Sequence, residues 1–345
     1  MAYQSKKPLS EERLPVVAAI LPCYKSKKFI LDVISEFGPE VHKIFCVDDK
    51  CPEQTGLFVE ESCKDLRVKV IYSAVNQGVG GATIAGMEAA VEAGADILIK
   101  VDSDGQMDPR LIPTLISPII IGDADFCKGN RFFDLQNVRS MPKIRLFGNA
   151  ILSFMTKLSS GYWNIFDPTN GFLAIHRSIF IRLNTEKLSK RYFFESDLLF
   201  RIGLLRARVI DMPMVAVYGD EESNLKISQV IGEFFFKHVK NTFRRIIYNY
   251  FVRDFSAGTL FLILSFFLFL FGAITGIRYI SHSWLTGEAA TAGQVMISTL
   301  PLFISFQLGI SFLTYDIENT PKFAKWPALS RQDEFKKVSS ETEIV

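Results

Sequence analysis

The chain lacks a disulfide framework, a zinc signature and any marked excess of charge. Five cysteines occur in 345 residues: Cys23, Cys46, Cys51, Cys63 and Cys127. None forms a Cys-x-x-Cys pair, and an odd count at irregular spacing fits reduced, buried thiols in a cytosolic compartment. The net charge of +2 leaves no basic footprint, which excludes nucleic acid as the expected partner. Val16–Pro22 is read as the first strand and not as a secretory signal. It is too short for one, and Lys25, Lys27 and Lys28 follow at once in place of a small-residue cleavage site. The N-terminus is therefore read as cytosolic.

What the chain has in excess is apolar content, at 48% with 31 phenylalanines, most of it after residue 230. Before that point short apolar runs alternate with helical patterns. Val16–Leu21, Lys43–Val47, Val68–Tyr72, Ile97–Val101 and Ala124–Lys128 read as strands. Lys27–Phe37, Glu53–Lys64, Gly80–Ala93 and Pro109–Ile120 carry apolar residues at three- and four-residue spacing. This alternation predicts an α/β domain with a mainly parallel sheet covered by helices on both faces.

Open sheets of this kind bind ligands beyond the carboxyl ends of their strands, so the strand ends carry the functional reading. The fourth strand runs into Asp102-Ser-Asp104-Gly-Gln106. Two carboxylates and an amide oxygen are hard ligands suited to Mg²⁺ or Mn²⁺, above all where a diphosphate fills other positions. Taken alone, the turn is equally well a solvated acidic loop. The first strand ends at Pro22 and Tyr24, and Tyr24 could stack on a base. The second ends at Asp48, a possible acceptor for a base N–H or a ribose hydroxyl. The third leads into Asn76-Gln-Gly78-Val-Gly80-Gly81, where glycines allow close backbone approach and a helix start favours an anion. The glycine spacing is not a dinucleotide fingerprint, and it follows the third strand instead of the first.

The order Leu21-Pro-Cys-Tyr, Val47-Asp-Asp, Asn76-Gln-Gly-Val-Gly, Asp102-Ser-Asp-Gly-Gln, Gly129-Asn-Arg and Asp167-Pro-Thr-Asn-Gly-Phe172 resembles the family 2 glycosyltransferases of GT-A (Rossmann-like) fold. Within them it is most similar to the polyprenyl-phosphate enzymes, such as dolichyl-phosphate mannose synthase and the GtrB-type and ArnC-type transferases. The resemblance covers roughly residues 15 to 215. It implies that Asp102, Asp104 and Gln106 hold a divalent cation, Mg²⁺ or Mn²⁺, against a nucleotide diphosphate, with Pro22, Tyr24, Asp48 and Gly78 around the nucleotide. It implies further that Arg131 and Arg145 grip the acceptor phosphate, a role suited to bidentate guanidiniums, with Lys226 as a further contact. Asp167 matches an acidic residue lining the active site. The usual Pro-x-Tyr-Asn-Glu is Pro22-Cys-Tyr-Lys-Ser26 here, and the usual Asp-Asp-Gly-Ser is Asp48-Asp-Lys-Cys51, so the base stays open between UDP and GDP. Tyr192–Arg201 reads as a helix leaving the site, with Glu195 and Asp197 either positioning the sugar or capping the helix.

Val230–Tyr250 alternates apolar stripes with Lys237, His238, Lys240, Arg244 and Arg245, the pattern of an interfacial amphipathic helix with a basic face toward anionic headgroups. Phe255–Ile277 is uncharged for about 23 residues, enough to span a bilayer. A second span is expected over Ala289–Tyr315, with Arg278–Glu288 as the loop between. The expected organisation is a cytosolic catalytic domain (1–229), a juxtamembrane amphipathic region (230–254), two transmembrane helices (255–315) and a cytosolic tail (316–345), mobile after Ser330. Basic residues flanking the spans place the catalytic domain and both termini in the cytoplasm, and the two-span layout points to a bacterial inner membrane. The implied partners are a nucleotide-sugar donor, a polyprenyl-phosphate acceptor, the membrane, and further copies of the chain as a homo-oligomer up to a tetramer. The expected reaction is an inverting, metal-dependent transfer of a hexose to undecaprenyl or dolichyl phosphate. The alternative is transfer to a hydroxyl of a lipid-linked or growing glycan, which needs Glu195 or Asp197 as base.

Overall fold

A computed structural model describes residues 14–133, 143–214 and 227–333, with backbone alone at 143–145 and 227–231. Seven strands form one sheet in the order β3-β2-β1-β4-β6-β5-β7. They are β1 (Val17–Cys23), β2 (Lys43–Asp48), β3 (Val68–Tyr72), β4 (Ile97–Lys100), β5 (Phe126–Asn130), β6 (Leu173–His176) and β7 (Val209–Pro213). The five strands expected from the sequence all form. β6, which the apolar pattern did not single out, inserts antiparallel between β4 and β5. β7 adds parallel to β5 at the edge.

Both faces of the sheet are covered, as a parallel sheet requires. Val17, Ala19 and Leu21 of β1 join one core with α1 (Ile30–Ser35), α2 (Thr55–Ser62) and α4 (Ile112–Ile120). Ala18 and Ile20 join the other, with α3 (Val79–Glu92) and α7 (Phe194–Leu204). In chain order between α4 and α7, α5 (Lys143–Ser160) packs against α7, and α6 (Arg177–Phe180) is a single turn after β6. Because β6 is antiparallel to both β4 and β5, the carboxyl ends of β1, β2, β4 and β5 share one sheet edge with the start of β6. That edge assembles the site.

Beyond the sheet, α8 (Ile227–Ile247) passes into a π-helical turn (Tyr248–Arg253), then into α9 (Ala257–Thr286) and α10 (Ala292–Glu318). The last two are long and apolar enough to cross a membrane, and they present large exposed side chains such as Phe266, Phe267, Phe303 and Phe306. They pack on each other through small residues. Ser305 Oγ donates to the Ser265 carbonyl at 2.7 Å, and a Cβ on Gly272 would fall 2.8 Å from the Ser298 carbonyl oxygen, the close backbone approach common between helices in lipid. α9 runs on to Gly287, whose φ of 71° ends it. The expected loop at 278–288 is therefore helical up to Thr286, and the connection shrinks to 287–291.

The basic stripe of α8 is split. Arg244 and Lys240 are exposed, but His238 and Arg245 turn inward, at 1% and 2% exposed. Arg245 donates through both Nη atoms to Asp316 of α10, at 2.7 and 2.9 Å. Tyr250 Oη and Trp163 Nε1 complete the shell of that carboxylate at 2.6 and 2.8 Å. α10 is thereby keyed to α8 by a desolvated ion pair and, through Trp163, to the sheet domain. Asp316→Ala strands the Arg245 charge and is expected to lower unfolding stability by about 3–5 kcal/mol, with Arg245→Met/Asp316→Leu recovering most of it. Thermal unfolding in detergent reads this, and an unchanged melting temperature in the single variant would refute the key.

The chain then returns to the sheet domain. Asp125, fully buried at the start of β5, accepts from the backbone N–H groups of Lys325 and Trp326, at 2.8 and 2.7 Å. Trp326 stacks on His176 with ring centroids 4.2 Å apart, and Asp333 pairs with Arg182 at 2.8 Å. Through Asp333 the expected mobile tail is a docked strap.

Burial pushes both His176 and His238 down to about 4. A depressed histidine pKa means that the unfolded chain takes up protons first as pH falls. Each ring thus contributes stability that is complete above about pH 6.5 and lost toward pH 4, at most about 3 kcal/mol apiece. The melting temperature should fall across that window. His238→Asn, which keeps a polar atom near Ser159 Oγ, its 2.9 Å partner, should flatten part of the slope; an identical slope in wild type and variant argues against the assignment.

Candidate active site

The turn after β4 is the centre of the strand-end cluster. Asp102 and Asp104 lie at intermediate exposure. Gly105, at φ 76°, allows the tight reversal that brings the Gln106 N–H to Asp104 Oδ1 at 3.0 Å. Ser103 ties the turn to the end of β1 through the Pro22 carbonyl at 2.7 Å. Tyr24, two residues on, is half exposed and available for stacking.

One residue here escaped the sequence reading, which passed over it as part of an apolar run. Lys100, 1% exposed, projects from β4 into the site edge. Its Nζ lies 2.6 Å from Asp102 Oδ1 and 3.3 Å from Glu195 Oε1 of α7. Burial alone depresses this lysine, but the carboxylates of Asp102 and Glu195 outweigh it and hold Lys100 above its ordinary value. Burial likewise raises Glu195 above the usual carboxylate range, opposed by Lys100. The signal was present in the sequence: a lysine inside a buried strand demands a partner.

The second cluster lies after β5. Arg131 forks the carboxylate of Asp167, Nε to Oδ2 and Nη2 to Oδ1, both at 2.7 Å. Asp167 is fully buried; burial favours its neutral form, but the Arg131 bonds overcome this and hold it below the usual range. Beneath the pair, Lys128 Nζ donates to the carbonyls of Gly129, Phe166 and Asp167 and faces Asp211 at 3.8 Å. Burial pushes Asp211 up to about 6. Residues 167–171 bridge the two clusters: Asp167 holds Arg131 at one end, and Gly171 meets Lys100 at the other. A Cβ on Gly171 would overlap Lys100 Nζ and fall 2.6 Å from Asp102 Oδ2.

The expected nucleotide side differs from its sequence reading in two places. Asp48 accepts from the N–H groups of Cys51 and Gly56, both at 2.7 Å, and is 3% exposed. It braces the β2 turn with both carboxylate oxygens. Asp49 does the same for the glycine loop, accepting from Gln77 and Gly78 N–H at 2.8 and 2.7 Å. The close approach that the glycines permit is to the protein itself. A Cβ on Gly78 would fall 2.8 Å from the Lys190 carbonyl oxygen, and Gly81 N–H donates to that same atom at 3.0 Å. Asp197 is committed likewise, accepting from Ser189 N–H, Arg201 and Asn241. The backbone of Arg145 lies in the first turn of α5; its side chain, and Lys226 entirely, lie outside the described residues.

Among the described residues no three histidine, cysteine or acidic side chains converge as a metal cage. The oxygens of Asp102, Asp104 and Gln106 are hard donors. They fit a cation that takes its remaining ligands from a diphosphate, and not one held by protein alone.

Residues 18–183 match the family model described as Glycosyl transferase family 2. A UDP-N-acetylglucosamine–dolichyl-phosphate N-acetylglucosaminyltransferase of Methanococcus voltae is 30% identical over 231 residues, 63% of this chain and 92% of that protein. An undecaprenyl-phosphate mannosyltransferase of Micrococcus luteus is 27% identical over 222 residues, 63% of this chain and 90% of that one. Among solved structures, glucosyl-3-phosphoglycerate synthase of Mycobacterium tuberculosis with bound UDP superposes with a TM-score of 0.50 at 17% identity, over 67% of this chain and 80% of that chain. That likeness is one of fold.

Proposed function

Because the chain belongs to glycosyl transferase family 2, we propose that it transfers a hexose, with inversion, from a UDP- or GDP-sugar to a polyprenyl phosphate at the membrane. The observation that carries the reading is the joint placement of an Asp102–Asp104 turn and the Arg131–Asp167 pair on one sheet edge, in a chain whose α9 and α10 are fit to cross a bilayer. The acceptors named for the relatives of Methanococcus voltae and Micrococcus luteus support the same choice.

Asp102, Asp104 and Gln106 would hold Mg²⁺ or Mn²⁺ against the diphosphate. When bound, that cation supplies neutralisation of the charge on the departing nucleotide. The acceptor phosphate is already an anionic nucleophile, so the protein needs to supply orientation more than a base. Arg131, fixed in the plane of the Asp167 carboxylate, presents a guanidinium whose direction is set before the acceptor arrives. Arg145 and Lys226 are proposed to add charge on the same side. Transfer to a glycan hydroxyl would call for a base. Asp197 is spent on the fold, and Glu195 is held by Lys100.

The test is incorporation into purified protein in lipid nanodiscs, with UDP- and GDP-sugars against undecaprenyl and dolichyl phosphate, in the presence of Mn²⁺ or Mg²⁺. Mass spectrometry should find a sugar on the lipid phosphate. No sugar on the lipid phosphate, with transfer instead to the hydroxyls of a lipid-linked glycan supplied in its place, would move the assignment to the alternative.

A further inference from the structure

Lys100 places a cation on the site before any ligand arrives. Its ammonium sits 2.6 Å from Asp102 Oδ1, so one of the oxygens proposed to hold a divalent ion is already paired with a positive charge. The lysine has no room to retreat. Its backbone is paired on one side to Ile20 and on the other to Leu173. Its Nζ also lies 3.5 Å from the Gly171 carbonyl and fills the space where any other residue at 171 would carry a Cβ.

We propose that Lys100 is a built-in competitor that keeps the Asp102–Asp104 turn a poor site for a divalent cation alone and a good one only when a nucleoside diphosphate enters with it. The proposal rests on the metal-and-diphosphate reading of this site. The physical argument is one of charge in a partly desolvated edge. A divalent ion on Asp102 faces the ammonium at close range, where few waters screen the repulsion. A diphosphate adds its own negative charge and coordinating oxygens, and the balance reverses. Glu195, 3.3 Å from the same Nζ, is then the partner that retains the ammonium once Asp102 turns to the cation. Glu195 thereby acts as a positioning residue and makes the exchange cheap, because the buried lysine is never left unpaired. Free cation at ordinary concentrations leaves the turn empty, and donor and metal load together.

Manganese binding to the full-length protein in detergent, read from the electron paramagnetic resonance signal of free Mn²⁺, tests this with and without UDP or GDP. The wild type should bind Mn²⁺ at least about tenfold more tightly with a nucleoside diphosphate than without. Lys100→Met/Glu195→Gln leaves the net charge of the Lys100–Asp102–Glu195 trio unchanged and removes the competitor. It should bind Mn²⁺ alone at least about tenfold more tightly than wild type. Equal or weaker binding by that variant, with its circular dichroism and melting intact, overturns the proposal and makes Lys100 a support for Asp102. If the double variant does not fold, Glu195→Gln alone decides. With its second partner gone the ammonium stays on Asp102, and Mn²⁺ binding with UDP should weaken at least about fivefold; no change overturns the exchange. A wild type that takes up no Mn²⁺ even with either nucleotide removes the underlying metal reading instead.

Discussion

Asp104→Asn is expected to abolish metal-dependent binding of the nucleotide sugar and to lower transfer at least about a thousandfold, roughly 4 kcal/mol of transition-state stabilisation. The substitution is nearly isosteric, and the amide oxygen still accepts from the Gln106 N–H that the carboxylate holds at 3.0 Å. Asp104 is at intermediate exposure, so the fold has little to lose. The melting temperature should stay at its wild-type value while calorimetric binding of donor with Mn²⁺ disappears. Normal transfer by this variant would remove Asp104 from the site. Asp102→Asn is a less clean test, because it also takes a partner from the buried Lys100.

Arg131→Ala has the other large effect, and here stability and transfer fall together. It leaves the fully buried Asp167 carboxylate without its fork, which costs about 3–5 kcal/mol for a desolvated pair broken on one side. Transfer should fall at least about a thousandfold as well, since the guanidinium is assigned to the acceptor phosphate. The double variant Arg131→Gln/Asp167→Asn separates the two roles. Asparagine tolerates the left-handed backbone at 167, where φ is 53°, and an amide pair restores a neutral hydrogen-bonded contact. Unfolding should recover most of its wild-type midpoint while transfer stays lost. Recovery of both would make Arg131 a brace with no hand in the reaction.

The five leading strands and their order with the helices were legible because a buried parallel sheet writes itself locally, as short apolar runs ending in turn residues. Asp102, Asp104 and Gln106 were legible for the same reason, being contiguous at a strand end. The pairings that organise the site were not. Arg131 and Asp167 are 36 residues apart, and Arg245 and Asp316 are 71 apart. Lys100 meets Glu195 across the sheet edge. No periodicity encodes such contacts. β6 stayed hidden because its place and direction are set by its partners on both sides, β4 and β5, and not by any local pattern of its own. The acidic strand end at Asp48–Asp49 has a structural duty that the sequence alone does not show. Carboxylates at a strand terminus serve a ligand or the neighbouring loop's N–H groups equally well, and here they serve the loop.

The strap that closes on Asp125 also sets a clock. Its backbone partners at Lys325 and Trp326 lie about 200 residues downstream, whereas Arg208 N–H, its other partner at 2.7 Å, comes with the sheet. At about 5–20 residues per second of synthesis, the sheet, complete only once Arg208 and β7 are made, waits roughly 6–23 s for the last two donors. During that interval Asp125 faces water. The final burial of this carboxylate, and the seating of Trp326 on His176, come only after both apolar helices have been made. Completion of the catalytic domain is thus timed by the synthesis of the segment that follows them.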